Sequence, residues 1–581
     1  MGDDMSGIAG FLDLSARTPE PERTAAAMAG GGATWTDPAA GVAVGAAVLA
    51  ASRDGRWVAA IDGTVLNAAE LSARLAPCDG SSDAMVLAEA VARWGLERGL
   101  QAADGAFAAV LWDRVERTLH LVRDRFGECM LAWGRFGGAL LFASRLAALR
   151  RHPAFTPEID RDALAAMLAM GFVPSSRCIH RHVHKLAPAE VLSVRGVDHV
   201  ARPAWPVVER MRAVTGGFGG GPAAGAERLN LLLRGSVSAR LDAGRPVAVL
   251  VSGGPASSLV AAVARELGGR IHALTLADTE AAAAAGRAVA TKLGVAHSEV
   301  APPDAEGAEL LRRLPALWDE PFAHPGQAGA VLLARAAAAG GDHVVLTGDG
   351  ADALFGGSPL YRQTAADWTS CQAAAPWRRR VAAWMARIRP GGASGSPPRS
   401  APALMARRRA LWRDLPPPVP GASRWEPAPA GLADPVQDCM GADLLCTLPD
   451  RACTLGRGAA DAAGIQILRP FLDPALAEFA WSLPVGMKID AGLGEICLRE
   501  VLWRYIPGLG EDPPPLGAGA PLRAWLDGPL AEWAGDLLSE ERLRRQGLVD
   551  PRAPARCRAK GRVAELWTLL MAQAWIDAAS P

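Results

Sequence analysis

The chain has 581 residues, 50% of them apolar and 21% charged, which excludes a disordered or fibrous protein and implies two or more domains. Lys+Arg and Asp+Glu both number 61, so net charge gives no drive toward nucleic acid or an anionic membrane. No apolar run reaches the roughly 18–20 residues of a membrane span, and the acidic opening Met1-Gly-Asp-Asp-Met5 is unlike a secretory signal, so the expected location is the cytoplasm.

In chain order, the first half carries short apolar stretches bounded by turns: Gly7–Leu14, Trp57–Ile61, Phe107–Trp112, Thr118–Val122 and Ala139–Ala143, with a helical stretch near Met85–Trp94. This pattern predicts a layered α+β domain over residues 1–210. Cys178, His180, His182 and His184 alternate, so on a strand they would share one face. A metal site and ordinary packing are both open readings, although spacing of two on one strand rarely closes a tetrahedral cage.

The Gly/Ala-rich run 215–225 separates this half from a differently patterned one at 225–581. There, a continuous apolar strand Val247–Val251 leads into a helix from Ser257. Strand Ile271–Leu276, helix Ala281–Leu293, helix Gln327–Ala339 and strand His343–Leu346 come next. Such alternation predicts an α/β domain with a doubly wound parallel sheet, followed by a largely helical C-terminal third. Residues 389–402 and 414–431 are rich in Pro, Gly and Ser and predict irregular chain on either side of a short basic helix at Arg407–Arg413. The whole of 389–431 reads as a mobile insertion: a loop over an extended peptide, or an unrelated disordered insert. The nine cysteines are odd in number and scattered, against a disulfide framework. Cys439, Cys446 and Cys453 recur every seven residues, but Pro449 is expected to interrupt any helix that would align them.

The chemistry is concentrated in three segments. The first is the strand ending in Ser252-Gly253-Gly254-Pro255-Ala256-Ser257-Ser258, where free backbone N–H groups meet a helix start, a geometry that binds phosphate. The second is Thr347-Gly348-Asp349-Gly350-Ala351-Asp352-Ala353-Leu354-Phe355-Gly356-Gly357, with two carboxylates in a Gly-rich turn able to hold Mg²⁺ or position an amine. The third is Arg469-Pro-Phe-Leu-Asp473, followed by Lys488 and Leu498-Arg499.

In this order the three segments resemble the synthetase domain of the asparagine synthetase family, whose relatives include β-lactam synthetase and the lasso-peptide cyclases. The first half is similar to that family's N-terminal glutaminase domain, through Ser6-Gly-Ile-Ala-Gly, Gly63-Thr-Val-Leu-Asn67, Ser82-Asp83, Asp104–Asp113 and Val122-Arg-Asp-Arg-Phe-Gly127. The resemblance covers about nine-tenths of the chain. It implies an Ntn-type α+β sandwich followed by an ATP-pyrophosphatase-type synthetase domain. It also implies that Ser252, Gly253, Gly254, Ser257, Ser258, Leu276 and Gly348 hold ATP, that Asp352 holds Mg²⁺, and that Asp349, Lys488 and Arg499 serve the chemistry.

Several family positions are altered. The nucleophilic Cys of glutamine-using members is matched by Ser6, a far poorer nucleophile. The glutamine-binding Arg has no counterpart in Ala46–Ala51, while Asp83 matches a glutamine-binding carboxylate, with a structural role as the alternative. The expectation is therefore a degenerate domain that releases no ammonia. In the synthetase half, a metal-binding Asp is replaced by Ala256, Ala353 stands for a Glu, and a transition-state Lys falls at Glu495, reversing its charge. Lys185, Lys292, Lys488 and Lys560 are the only lysines, and Lys488 or Arg499 is the candidate replacement cation. The leading expectation is an ATP-dependent macrolactam cyclase that adenylates a side-chain carboxylate for attack by the substrate's own amine. Its partners would be a precursor peptide, or a small substrate bearing amine and carboxylate, and a leader-peptide protease. A pseudoenzyme scaffold and a conventional glutamine-dependent asparagine synthetase are the alternatives.

Overall fold

The computed structural model describes residues 7–75, 82–241, 244–302, 307–373, 398–490, 493–509 and 521–579, in two compact units. The first comprises the described residues of 1–160 and 175–209, and the second those of 161–174 and 210–581.

The first unit stacks two antiparallel six-stranded sheets. One contains β1 (Ala9–Asp13), β2 (Ala33–Asp37), β3 (Val42–Ala46), β8 (Ala132–Phe136), β9 (Ala139–Ala143) and β10 (Val183–Lys185), in the order β10-β8-β9-β1-β3-β2. The other contains β4 (Val48–Ala51), β5 (Trp57–Val65), β6 (Gly105–Asp113), β7 (Thr118–Arg123), β11 (Glu190–Arg195) and β12 (Asp198–Pro203), in the order β12-β11-β7-β6-β5-β4. Alternate residues of both sheets, among them Leu12, Val44, Val58, Val110, Trp112, Leu121 and Phe142, form one core cluster, as expected when period-two strands each turn one face inward. Helix Pro21–Ala29 packs on β3, and helix Asp83–Trp94 on β5. The alternation proposed for Cys178 to His184 does not hold. Only Val183–Lys185 is strand, and His182 has a left-handed backbone (φ 67°) that breaks the register. Cys178 and His180 are buried, whereas His184 is exposed and lies against Trp133.

The second unit is built on a five-stranded sheet, β15-β14-β13-β16-β17, formed by β13 (Pro246–Leu250), β14 (Arg270–Leu276), β15 (Ala296–Val300), β16 (Val344–Leu346) and β17 (Gln466–Leu468). Every neighbouring pair is parallel. The strand order reverses between β13 and β16, which makes the crevice beyond their carboxyl ends the topological switch point. Their register, Ala248 with Val345 and Val249 with Leu346, brings Ser252 and Gly348 out of the sheet at the same edge. The rest of the unit is mainly helical, ending in the almost wholly buried helix Val563–Ala579.

Two expectations about the helical part change. Pro449 does not interrupt the helix: the chain stays helical from Pro435 to Asp461 through two π turns, Asp443–Thr447 and Pro449–Cys453. The wider i→i+5 turn relieves the clash of a proline ring with the carbonyl of the turn before it. Cys439 and Cys453 are buried while Cys446 is partly accessible, and none of the three is in a disulfide. Burial pushes Cys439 and Cys446 up to about 12, marking them as inert packing residues. In the insertion, regular structure begins earlier than composition suggests: Ser400 caps a helix over Ala401–Arg409, followed by a 3₁₀ turn at Leu411–Asp414. Residues 415–431 have no helix or strand, and residues 389–397 lie outside the described residues.

Candidate active site

Strand β13 ends in a tight loop. Gly253 has φ 80°, and a Cβ there would sit 2.5 Å from Ala285 Cβ, so only glycine fits. Gly254 then starts helix Pro255–Glu266, whose missing N–H at Pro255 falls where no intrahelical bond is needed. The Ser252 amide donates to Ser257 Oγ at 3.2 Å, the two hydroxyls lie 3.1 Å apart, and Ser257 Oγ donates to the Gly254 carbonyl at 3.3 Å. This bracing leaves Ser252 exposed and Gly253 and Gly254 half-buried at the helix start, where the dipole favours an anion. Ser258 is different. It is 0% exposed and its Oγ has no hydrogen-bond partner among the described residues, so it packs behind the loop instead of facing a ligand.

The loop after β16 lies directly alongside. A Cβ on Gly348 would meet the Ser257 amide at 3.0 Å and Ala256 Cβ at 3.1 Å. Thr347 Oγ1 donates to Asp349 Oδ2 at 2.9 Å, and Arg469 Nε, arriving from the end of β17, reaches the same oxygen at 3.3 Å. Arg469 is almost fully buried while Asp349 is about one-third exposed, so the guanidinium acts from behind to aim a carboxylate that remains accessible. The sequence marks the Arg469–Asp473 segment without giving Arg469 a role. Asp473 at its other end is a helix cap, accepting from the Ala475 and Leu476 amides. Leu276, at the end of β14 on the same sheet edge, is half-buried over Gly329.

Asp352 lies in helix Ala351–Phe355, which packs against the segment leading into the first π turn. Its carboxylate is solvent-accessible yet crowded by protein. Poor hydration, then the charges of Asp443 and Asp349, raise it above the usual carboxylate range, while Arg451 and Arg409 pull it down. Asp443 itself is fully engaged: Tyr361 donates to it at 2.6 Å, and Arg409 grips both carboxylate oxygens. Asp352 fits a Mg²⁺ ion of the kind held by one or two carboxylates plus substrate phosphates; Ala256, beside Gly348, offers no second oxygen.

The candidate replacement cations are both enclosed. Lys488 is 1% exposed and burial pushes its amine down to about 7. Arg499 is 5% exposed and donates to the Gly494 carbonyl at 3.1 Å. Glu495 departs from its expected role. It is 7% exposed, and burial, reinforced by the Asp352 charge against the opposing Arg499, pushes its carboxyl up to about 8. At neutral pH the side chain is mostly protonated, so the family lysine's charge is lost here but not reversed.

In the first unit the resembling residues hold the fold. Asp83 accepts from the Val65 amide at 2.8 Å, and Asn67 bridges Asp104 and Ala102. Arg123 donates to the carbonyls of Gly127, Cys129 and Leu186, and Asp124 accepts from the amides of Phe126, Glu128 and Cys129. Ser6 lies outside the described residues.

Residues 228–577, more than half of the chain, match the asparagine synthase family model, and residues 43–205 match that of the glutamine amidotransferase domain. The chain belongs to the asparagine synthase family. It is 28% identical over 573 residues to a putative asparagine synthetase [glutamine-hydrolyzing] of Mycobacterium tuberculosis, covering 90% of this chain and 84% of the relative. It is 22% identical over 468 residues to asparagine synthetase [glutamine-hydrolyzing] 1 of Bacillus subtilis, covering 75% and 71%. The family assigns an ATP-dependent amide-forming ligase to the second unit, in agreement with the parallel sheet and its switch-point loops. No helix among the described residues is long and apolar enough to cross a membrane.

Proposed function

We propose that this asparagine synthase family member is a macrolactam-forming cyclase. It would activate a side-chain carboxylate with ATP and pass the acyl group to an amine on the same substrate, a ribosomal precursor peptide. The observation that carries the synthetase half of this reading is the pairing of the Ser252–Ser257 loop with the Thr347–Asp352 loop at the switch point. In the first step a carboxylate oxygen attacks the α-phosphorus, the bond to the β-phosphate oxygen breaks, and pyrophosphate leaves an acyl-adenylate. In the second, the amine nitrogen attacks the acyl carbon, AMP departs with the electron pair of the C–O bond, and the nitrogen gives up a proton. The Ser252–Gly254 turn and the helix start behind it would hold phosphate oxygens. Asp349, aimed by Arg469 and Thr347, would accept a hydrogen bond from the incoming neutral amine and keep its nitrogen beside the acyl carbon. Asp352 would hold Mg²⁺, which when bound offsets the charge of the phosphates.

The substrate-borne amine is supported by Ser6, which stands where the family's glutamine nucleophile belongs, and by Asp83, whose carboxylate is committed to the Val65 amide. A leader-peptide protease would act in the same pathway. A conventional glutamine-dependent asparagine synthetase is favoured by the names of the relatives, and a scaffold without turnover by Ala256, Ala353 and the neutral Glu495.

ATP–pyrophosphate exchange with Mg²⁺ separates the three. The unmodified protein and an Ala256→Asp, Glu495→Lys variant are tested with candidate precursor peptides and with aspartate, and glutamine hydrolysis is monitored in parallel. Peptide-dependent exchange with loss of water from the peptide is the expected result. Aspartate-dependent exchange with glutamine hydrolysis would replace the proposal with the conventional enzyme. Exchange gained only in the variant would replace it with the scaffold.

A further inference from the structure

His324 and Arg451 meet in the second unit with their N–H groups facing each other. The imidazole is held by its own turn: the Gly326 amide donates to Nδ1 at 3.0 Å, and the ring stacks on Phe322 at 6.3 Å between centroids. A ring nitrogen that accepts carries the lone pair, so in the neutral ring the proton is on Nε2. The ring is neutral at pH 7, because burial and then the Arg451 charge push it down to about 4. Arg451 Nη2 lies 3.5 Å from that same Nε2. A guanidinium only donates. The contact therefore brings two N–H donors together with no acceptor, an arrangement that an oxyanion beside them completes.

The surroundings point the same way. Arg451 is solvent-accessible, unlike Lys488 and Arg499. Asp443, whose charge acts on Arg451, is already taken by Arg409 and Tyr361. The Arg451 charge also reaches Asp352, and hence the metal and phosphate side of the crevice. Its direction depends on the π turns, since each such turn adds one residue to the helix and rotates the chain beyond it by about 100°.

We propose that Arg451 and the Nε2–H of His324 form an oxyanion site at the switch point that binds the phosphate chain of the nucleotide. The site supplies an accessible positive charge in a synthetase domain where Glu495 stands in place of the family's lysine. Only the naming of the anion as the nucleotide's phosphates rests on the ATP-dependent reading; the converging donors do not.

The test is calorimetric titration of the full chain with Mg²⁺–pyrophosphate and with Mg²⁺–ATP, for the unmodified protein and for Arg451→Gln, Arg451→Lys and His324→Phe. Arg451→Gln should weaken pyrophosphate and ATP by about ten- to hundredfold, the range of a lost charge-assisted hydrogen bond. Arg451→Lys should recover part of the loss, and His324→Phe should lose less than Arg451→Gln. An unchanged thermal midpoint in Arg451→Gln, whose side chain is accessible, checks that the fold is intact. Equal pyrophosphate affinity in the unmodified protein and Arg451→Gln, or no pyrophosphate binding by either, would overturn the proposal. If pyrophosphate discriminates between them while ATP binds neither, the anion site stands and the ATP-dependent reading falls.

Discussion

Replacing Glu495 by Gln should stabilise the second unit, and by an amount that depends on pH. The carboxyl titrates near 4.5 in the unfolded chain and is pushed up to about 8 in the folded one, chiefly by burial. Between these values the unfolded chain gives up a proton that the folded chain keeps. A raised carboxyl therefore contributes its full stability below pH 4.5 and loses it as pH rises toward 8. At about 1.4 kcal/mol per pKa unit, the roughly 2.5 units between 4.5 and pH 7 amount to about 3 kcal/mol. Gln keeps the shape and hydrogen-bonding capacity and does not ionise, so Glu495→Gln should exceed the unmodified protein by about 3 kcal/mol at pH 7. The gap should close toward pH 4.5 and widen to about 5 kcal/mol above pH 8. Equilibrium urea unfolding of both proteins between pH 4.5 and 9, without nucleotide or metal, measures it through the second unit's transition. Taking the difference between the two proteins cancels the opposing titration of Lys488, which is unchanged in the variant. A gap that does not vary with pH, or one that grows toward acid, would refute the argument that burial keeps Glu495 protonated.

Packing around the crevice sets two further outcomes. Tyr361→Phe removes the hydrogen bond to Asp443 without changing volume and should cost about 1.5–3 kcal/mol in urea unfolding, the value of a bond to a charged group; a loss under about 0.5 kcal/mol would mean that Arg409 alone satisfies that carboxylate. Gly253→Ala must take up a left-handed backbone against Ala285, so it should cost about 1–3 kcal/mol and abolish measurable ATP binding, as equilibrium dialysis would show.

The parts of the site that are legible before folding are those written in consecutive residues. A buried strand running into Ser252-Gly253-Gly254, and a second into Gly348-Asp349, each carry a local reason for their shape. The partners of these segments are less visible. Arg469 lies 120 residues from Asp349, and nothing near it in the chain says which carboxylate it will meet. His324 and Arg451 are 127 residues apart, and their meeting depends on two π turns that no periodicity of 3.6 would place. Pro449 reads as a break because its missing N–H and its ring forbid an ordinary α-turn; the local rule is sound, and a wider turn meets it. The family resemblance implies a phosphate-binding role for Ser258, yet the helix's rotation buries it.

The sequence alone therefore determined the family, the two-domain order and the loops that flank the switch point, because strand burial, glycine freedom and helix starts are properties of neighbouring residues. Tertiary structure alone decided the ionisation state of Glu495 and Lys488, the pairing of Asp349 with Arg469, and the convergence of Arg451 on His324. Each depends on which distant groups surround a charge and on how much water they displace, quantities that do not exist until the chain has packed.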